Sequence, residues 1–216
     1  QFKISKNSFD GLFGFEVNME ERKLFSTVVY EYLNTMFQSG SLSASKSDST
    51  YGRDNYFNHY IYQSGWTYKD KVIGNPLFTV GSSNSKDQIY IINNRIKSHH
   101  IGISGYLNSK LRYKILVTKS KNFGTYDDHQ KLIENGKKYK FYNGLDQTSA
   151  LFQFNFIQFI KKVDLQFSYA IDRGNVLNDS NGFQLSINYS FNGLSYSQWY
   201  NKCLRFRVCN GSKYKP

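Results

Sequence analysis

The chain has 216 residues and a formal charge of +12, with 28 Lys and Arg against 16 Asp and Glu. Its length suffices for one domain with a core, yet only 39% of residues are hydrophobic while Tyr and Phe number 18 each, a balance at odds with a soluble globule and suited to strands with one apolar and one polar face. No apolar run approaches the ~20 residues of a membrane helix, and the cations are spread along the chain, which weakens a nucleic-acid reading and leaves an acidic glycan, acidic lipid headgroups or an ordinary basic loop surface to account for the charge.

Gln1-Phe2-Lys3 runs straight into polar sequence, as in an exported protein whose signal has been removed or a chain that starts within a longer one. Period-2 alternation then dominates. In 12–19, Phe13, Phe15, Val17 and Met19 oppose Gly14, Glu16 and Asn18. The stretch 22–36 is strand-like but less regular, with Leu24, Val28, Tyr30 and Tyr32 opposite Thr27 and Glu31. A long segment, 37–96, follows, in which Gln88–Ile96 reads either as a strand of its own or as the outer part of the next. In 97–107, Ile101, Ile103, Gly105 and Leu107 share a face. In 111–118, Leu111, Tyr113, Ile115 and Val117 oppose Arg112, Lys114, Leu116 and Thr118. In 150–157, Ala150, Phe152, Phe154 and Phe156 oppose Leu151, Gln153, Asn155 and Ile157. The clearest strands are 163–172, with Val163, Leu165, Phe167, Tyr169 and Ile171 on one face, and 183–191, with Phe183, Leu185, Ile187, Tyr189 and Phe191. Pro is confined to Pro76 and Pro216, so little interrupts backbone pairing. The basic tail 192–216 does not alternate; its Cys203 and Cys209 form either a local disulfide or two incidental thiols.

The connections alternate between short (Glu20-Glu21, Asn108-Ser109, Ile160-Lys161-Lys162) and long (37–96, 119–147, 173–182). Short turns at one end and long loops at the other predict an all-β fold, an antiparallel transmembrane barrel of the outer-membrane type with short periplasmic turns and long extracellular loops. About seven strands are expected within 1–191, the first and last running inward. Single-chain bacterial barrels have even strand numbers. The odd count therefore predicts either the C-terminal part of a larger barrel or one miscounted strand within 37–96. Glu16, Glu31, Arg112, Lys114, Asp164, Gln166 and Asp172, opposite the aromatics, are expected to line the lumen, their mixed signs suiting a structural charge network better than a selective pore.

Gly52-Arg53-Asp54-Asn55-Tyr56-Phe57-Asn58, Gly65-Trp66-Thr67-Tyr68, Gly74-Asn75-Pro76-Leu77-Phe78, Asn93-Asn94-Arg95-Ile96, His99-His100 and Asn122-Phe123-Gly124-Thr125-Tyr126 occur in this order. Together they resemble the capsule assembly Wzi family as found in Bacteroidetes, over most of 10–191. The tail departs from the family's usual ending. The resemblance implies a non-enzymatic, monomeric outer-membrane barrel, about twice this length or more, that attaches or organises capsular polysaccharide at the cell surface.

The loop 37–96 carries the chemistry that binds sugars. Aromatic faces stack on pyranose rings, Asn and Asp bond hydroxyls, and Arg forks onto carboxylates. Tyr51, Arg53, Asp54, Asn55, Tyr56, Asn58, His59 and Trp66 are the expected glycan contacts, although each of these side chains serves equally well to hold the loop together. Gly65, Gly74 and Pro76 are expected to shape turns, and Arg95 to face the lumen or, the better reading, to pair with an acidic loop residue. His99 and His100, adjacent on a strand, point to opposite faces and cannot easily chelate one metal. Asp127-Asp128 offers oxygen ligands to calcium but reads better as a solvated acidic turn. No cofactor and no metal site are expected. A channel or transporter for small solutes or oligosaccharides is the alternative function. An outer-membrane lipid hydrolase ranks third, since the sequence holds no G-x-S-x-G.

Overall fold

A computed structural model describes residues 10–19, 23–38, 55–59, 61–62, 64–69, 71–82 and 89–189. Tyr51, Arg53, Asp54, the Glu20-Glu21 turn and the tail with Cys203 and Cys209 lie outside the described residues.

Seven strands form one antiparallel sheet: β1 (Gly11–Asn18), β2 (Thr27–Asn34), β7 (Ile96–Asn108), β8 (Leu111–Asn122), β9 (Leu145–Ile160), β10 (Val163–Gly174) and β11 (Ser180–Tyr189), each paired with its neighbour in that order. The chain between β2 and β7 contributes two small two-stranded sheets: β3 (Thr67–Tyr68) with β4 (Lys71–Val72), and β5 (Thr79–Ser82) with β6 (Ile89–Asn93). Residues 89–93 therefore form a strand of their own. One helix, α1 (Tyr126–Asn135), lies between β8 and β9.

Register decides what this sheet can do. Val17 faces Val28, which faces Ile103, then Ile115, Phe152 and Tyr169, and finally Phe183. Every apolar set read from the alternation thus falls on one face, because a slip of one residue would turn a whole strand over. Among the described residues the face is uncovered except near the β7–β8 turn, where Leu24 lies against Gly105 and the buried Tyr113. Phe13, Phe15, Ile101, Phe167, Phe183, Leu185 and Ile187 are all exposed. The opposite face gathers Glu16, Glu31, Arg112, Lys114, Asp164, Gln166 and Asp172, with Ser, Thr, Asn and Gln between them.

The seven strands do not close into a barrel. In an antiparallel meander the first and seventh strands run the same way, so β1 and β11 can be joined by antiparallel pairing only through an odd number of further strands.

The strands outrun the alternation that revealed them. β8 continues to Asn122, β9 begins at Leu145, β10 reaches Gly174 and β11 starts at Ser180. The expected loops 119–147 and 173–182 shrink to 123–144 and 175–179. Residues beyond the apolar stretch are polar on both faces, so pairing persists where the hydrophobic period has ended. At the other end, Asn108 Oδ1 accepts the backbone N–H groups of Lys110 and Leu111, both at 2.9 Å, closing the β7–β8 turn.

The stretch expected as a strand over 22–36 pairs only from Thr27. Lys23 and Leu24 instead lie over β7: Tyr106 N–H donates to Lys23 O at 2.9 Å, and Tyr113 Oη donates to Leu24 O at 2.6 Å. A Cβ at Gly105 would lie 1.7 Å from Leu24 O. Gly105→Ala must therefore displace this backbone and lose the Tyr113 bond. Destabilisation of about 2 kcal/mol is expected, checked by the urea midpoint of refolded protein; an unchanged midpoint would show that the turn is free to move.

Candidate functional site

The buried residues gather at the end of the sheet that bears the long connections. Phe78, Ile91 and Ile96 form a small core, packed by Leu33, Tyr56, Phe57, Val72, Leu77 and Val80. Leu33 and Ile96 belong to the polar face of the sheet, so the β2–β7 connection folds inward across that face.

Amides fasten it there. Asn94, fully buried, donates from Nδ2 to Asn55 Oδ1 at 2.7 Å and to Tyr56 O at 2.8 Å. Its carbonyl accepts from Thr35 Oγ1 at 2.6 Å and Gln38 Nε2 at 3.1 Å. Asn58 makes a two-way bond with the backbone of Ile91, donating to its carbonyl at 3.0 Å and accepting from its N–H at 3.1 Å. Tyr56 Oη donates to Asp10 at 3.1 Å, and Asn55 Nδ2 to Asp127 at 3.2 Å. His59 Nδ1 accepts the N–H groups of Ile61 and Tyr62 at 3.1 and 3.2 Å, and its ring packs on Tyr62. Of the expected sugar contacts, Asn55, Tyr56, Asn58 and His59 are thus engaged in holding the loop.

Trp66 differs. It is 63% exposed, and Tyr62 and Tyr68, absent from the expected set, are 71% and 66% exposed. Ile73 N–H donates to Trp66 O at 2.8 Å, and Thr67 and Tyr68 pair with Val72 and Lys71. Trp66 and Tyr68 are two positions apart on this extended segment and so project to one side. The two rings offer stacking surface, and Lys69 Nζ sits 5.5 Å from the Tyr68 ring centroid. The alternation Trp66-Thr67-Tyr68 was the available signal for Tyr68. Gly65 and Gly74 turn the chain here at φ 61° and 95°.

At the root of the loop Arg95 is 2% exposed. Among the described residues no ion pair to the acidic partner expected for it is seen. Its Nε donates to Met36 O at 3.3 Å, its guanidinium lies 5.6 Å from the Tyr126 ring centroid, and one terminal nitrogen has no hydrogen-bond partner among the described residues. The nearby carboxylate of Asp10 is taken up by the N–H groups of Phe37 and Gln38 and by Tyr56. Burial works against the Arg95 charge, yet a guanidinium stays protonated in proteins. Burial, and then Arg95, also hold His129 below its ordinary pKa, whereas burial pushes Tyr139 up. Asp127 and Asp128 form the first turn of α1, where Thr125 caps the helix by accepting from Asp128 N–H at 3.2 Å.

Beneath the loop a cavity of 370 Å³ is bounded by Gly74–Leu77 and by Glu31, Ser98, His100 and Thr118 of the sheet. Glu31, His100, Thr118, Ser149, Asp172 and Ser180 form one row across six strands. His100 Nδ1 lies 2.7 Å from Thr118 Oγ1, and Asp172 accepts from Ser149 and Ser180. Acyl transfer needs the acid on one ring nitrogen and the nucleophile on the other; here the hydroxyl occupies Nδ1 and no hydrogen bond joins Glu31 to the ring. His99 faces the other way, bonded to Tyr30 Oη at 2.8 Å.

The expected charge network does not form. The ion pairs seen among the described residues, Lys131–Asp128 and Arg173–Asp179, join no two of the seven polar-face residues. Hydroxyls, amides and rings serve instead: Asn18 donates to Glu16 at 2.7 Å, Gln158 N–H to Asp164 at 2.7 Å, and Arg112 lies 5.9 Å from the Tyr106 ring centroid.

Compared with models of protein families, with curated proteins and with solved structures, the chain finds no match in any of the three.

Asn94→Ala would remove the side-chain bonds to Asn55 Oδ1, Tyr56 O and, from Oδ1 at 3.1 Å, Gln38 Nε2, while the backbone carbonyl keeps its own bonds. A loss of about 2–3 kcal/mol in loop attachment is expected. Hydrogen exchange should rise in 55–58 and 89–95 while β8–β10 keep their protection; unchanged exchange in the loop would refute the fastening role.

Proposed function

We propose that this chain is part of an outer-membrane β-barrel whose apolar face meets lipid and whose long loops bind, anchor or organise capsular polysaccharide at the cell surface, without enzymatic turnover. The observation that carries the membrane half is the uncovered apolar face, continuous over seven strands in matched register. A soluble sandwich would cover such a face with a second layer. Val163–Ile171 spans about 26 Å along the strand at ~3.3 Å per residue, or roughly 20 Å at a 40° tilt, close to the ~25 Å apolar band of such barrels. The polar face then lines the lumen, and parity requires an odd number of further strands for antiparallel closure.

The polysaccharide half rests on the exposed Trp66, Tyr62 and Tyr68, on the basic balance of the chain, and on the ordered motifs that resemble the Wzi family. No cofactor is required. A channel for small solutes or oligosaccharides is the second reading, favoured by the polar face and opposed by the loop that packs across its end.

The test is capsule retention in the native host. Deleting the gene should move polysaccharide from cells to medium. Complementation with the Tyr62→Ala/Trp66→Ala/Tyr68→Ala variant, confirmed at wild-type levels in the outer membrane, should leave cell-bound polysaccharide several-fold below wild type. Unchanged attachment after deletion would overturn the capsule role and make single-channel conductance the next measurement.

A further inference from the structure

The apolar face ends differently at its two ends. Toward the short turns it runs to the strand ends, where Leu107, Phe156 and Tyr189 are exposed. Toward the long connections the same outward face turns basic. Two positions beyond Ile101 and Val117 stand His99 and Lys119, directly paired, and two beyond those stand Lys97 and Lys121, also directly paired. In the same rows lie Thr148 and Asp146 of β9. Lys97, His99, Lys119 and Lys121 are all exposed.

Like charges set directly opposite on a sheet destabilise it, and none of the three lysines is in an ion pair among the described residues. Asp146 is the sole carboxylate in these rows, and Arg173, the outward residue of β10 beside Thr148, is paired with Asp179 at 4.0 Å. Just below, the His99 ring packs on Tyr32 at 5.0 Å between centroids and bonds Tyr30 Oη, the position at which interfacial aromatics mark the edge of an apolar band. The lysines stand about 7–13 Å along the strand beyond the last apolar residues, where a long side chain reaches the headgroup layer.

We infer that Lys97, Lys119 and Lys121, with His99, form a binding site for the phosphate groups of a phosphorylated glycolipid headgroup in the leaflet next to the long loops. The site rests on the lipid-facing orientation proposed above and adds its ligand. Charge supplies the match: three unpaired cations on one outward surface, continuous with a face built for acyl chains. Mono- or bisphosphate headgroups take ammonium donors as point charges.

The test uses the intact protein in phosphatidylcholine nanodiscs doped with lipid A, with dephosphorylated lipid A as the second probe. Bound glycolipid is counted by native mass spectrometry across a titration. Wild type should retain lipid A and discriminate against the dephosphorylated form. Lys97→Gln/Lys119→Gln/Lys121→Gln should bind lipid A on the order of a hundredfold more weakly, from three cations lost at the surface. Lys137→Gln/Lys138→Gln/Lys140→Gln, which removes the same charge from the loop after α1, should bind as wild type does. Inorganic phosphate at millimolar concentration should not displace the lipid; displacement would mean a free-phosphate site and overturn the headgroup assignment. Equal binding by the two triple variants, or no preference for phosphate, in protein that inserts normally overturns this inference alone. Failure of the wild type to enter nanodiscs overturns the membrane reading with it.

Discussion

An apolar face that spans seven strands and has no partner layer is the constraint on which the other features depend. Alternation gives each strand one apolar side, but only register makes seven such sides into one surface. The chain fixes register by local means: Asn108 closes the β7–β8 turn, and Gly105 admits the Leu24 carbonyl against β7. If hydrocarbon is its second layer, as proposed, such a sheet is free to carry carboxylates, amides and hydroxyls on its other face. The buried core is accordingly small and sits where the loop meets the sheet, around Phe78, Ile91 and Ile96.

The two ends of the sheet have different tasks. At one, the β7–β8 and β9–β10 turns return the chain over two residues each. At the other, strands continue beyond the apolar stretch, the β2–β7 connection folds across the polar face, and α1 stands beside it. The loop is held by side-chain amides more than by apolar packing, with Asn94 bonding Asn55, Tyr56 and Gln38 in a buried setting. Satisfied amides of this kind fix one geometry, because each misplacement strands a polar group away from water. A loop so fastened holds Trp66 and Tyr68 in place, as the proposed stacking on a sugar would require.

Period 2 was plain wherever an apolar residue alternated with a polar one, and the seven strands of the main sheet and their faces followed from it. Where both faces are polar, as at Lys119–Asn122 and Asp146–Ser149, the period carries no contrast and the strands were read too short. Helix α1 was missed because YDDHQKLIEN holds few apolar residues, Tyr126, Leu132 and Ile133, although Thr125 three residues before Asp128 and Gly136 after the last turn are cap residues in plain sight. The ion-pair network was expected from the mixed signs of the residues opposite the aromatics. Opposite charges on one face need to be within reach, and here neighbouring hydroxyls and amides are nearer. In the loop, the residue types that bind sugars are the same types that close buried hydrogen bonds. Sequence could not show that Asn55 and Asn58 are bonded within the loop while Trp66 stands exposed.

The central claim is that the two faces of the sheet meet different solvents. Single cysteines carrying a small fluorophore at Phe154, Phe167 and Leu185, and at their polar neighbours Gln153, Gln166 and Gln184, would be placed in protein inserted into vesicles with nitroxide-labelled lipid. Strong quenching at the first three and little at the second three, alternating along each strand, is the expected result. Equal quenching on both faces, or none on the apolar face, would contradict the account and return the sheet to water.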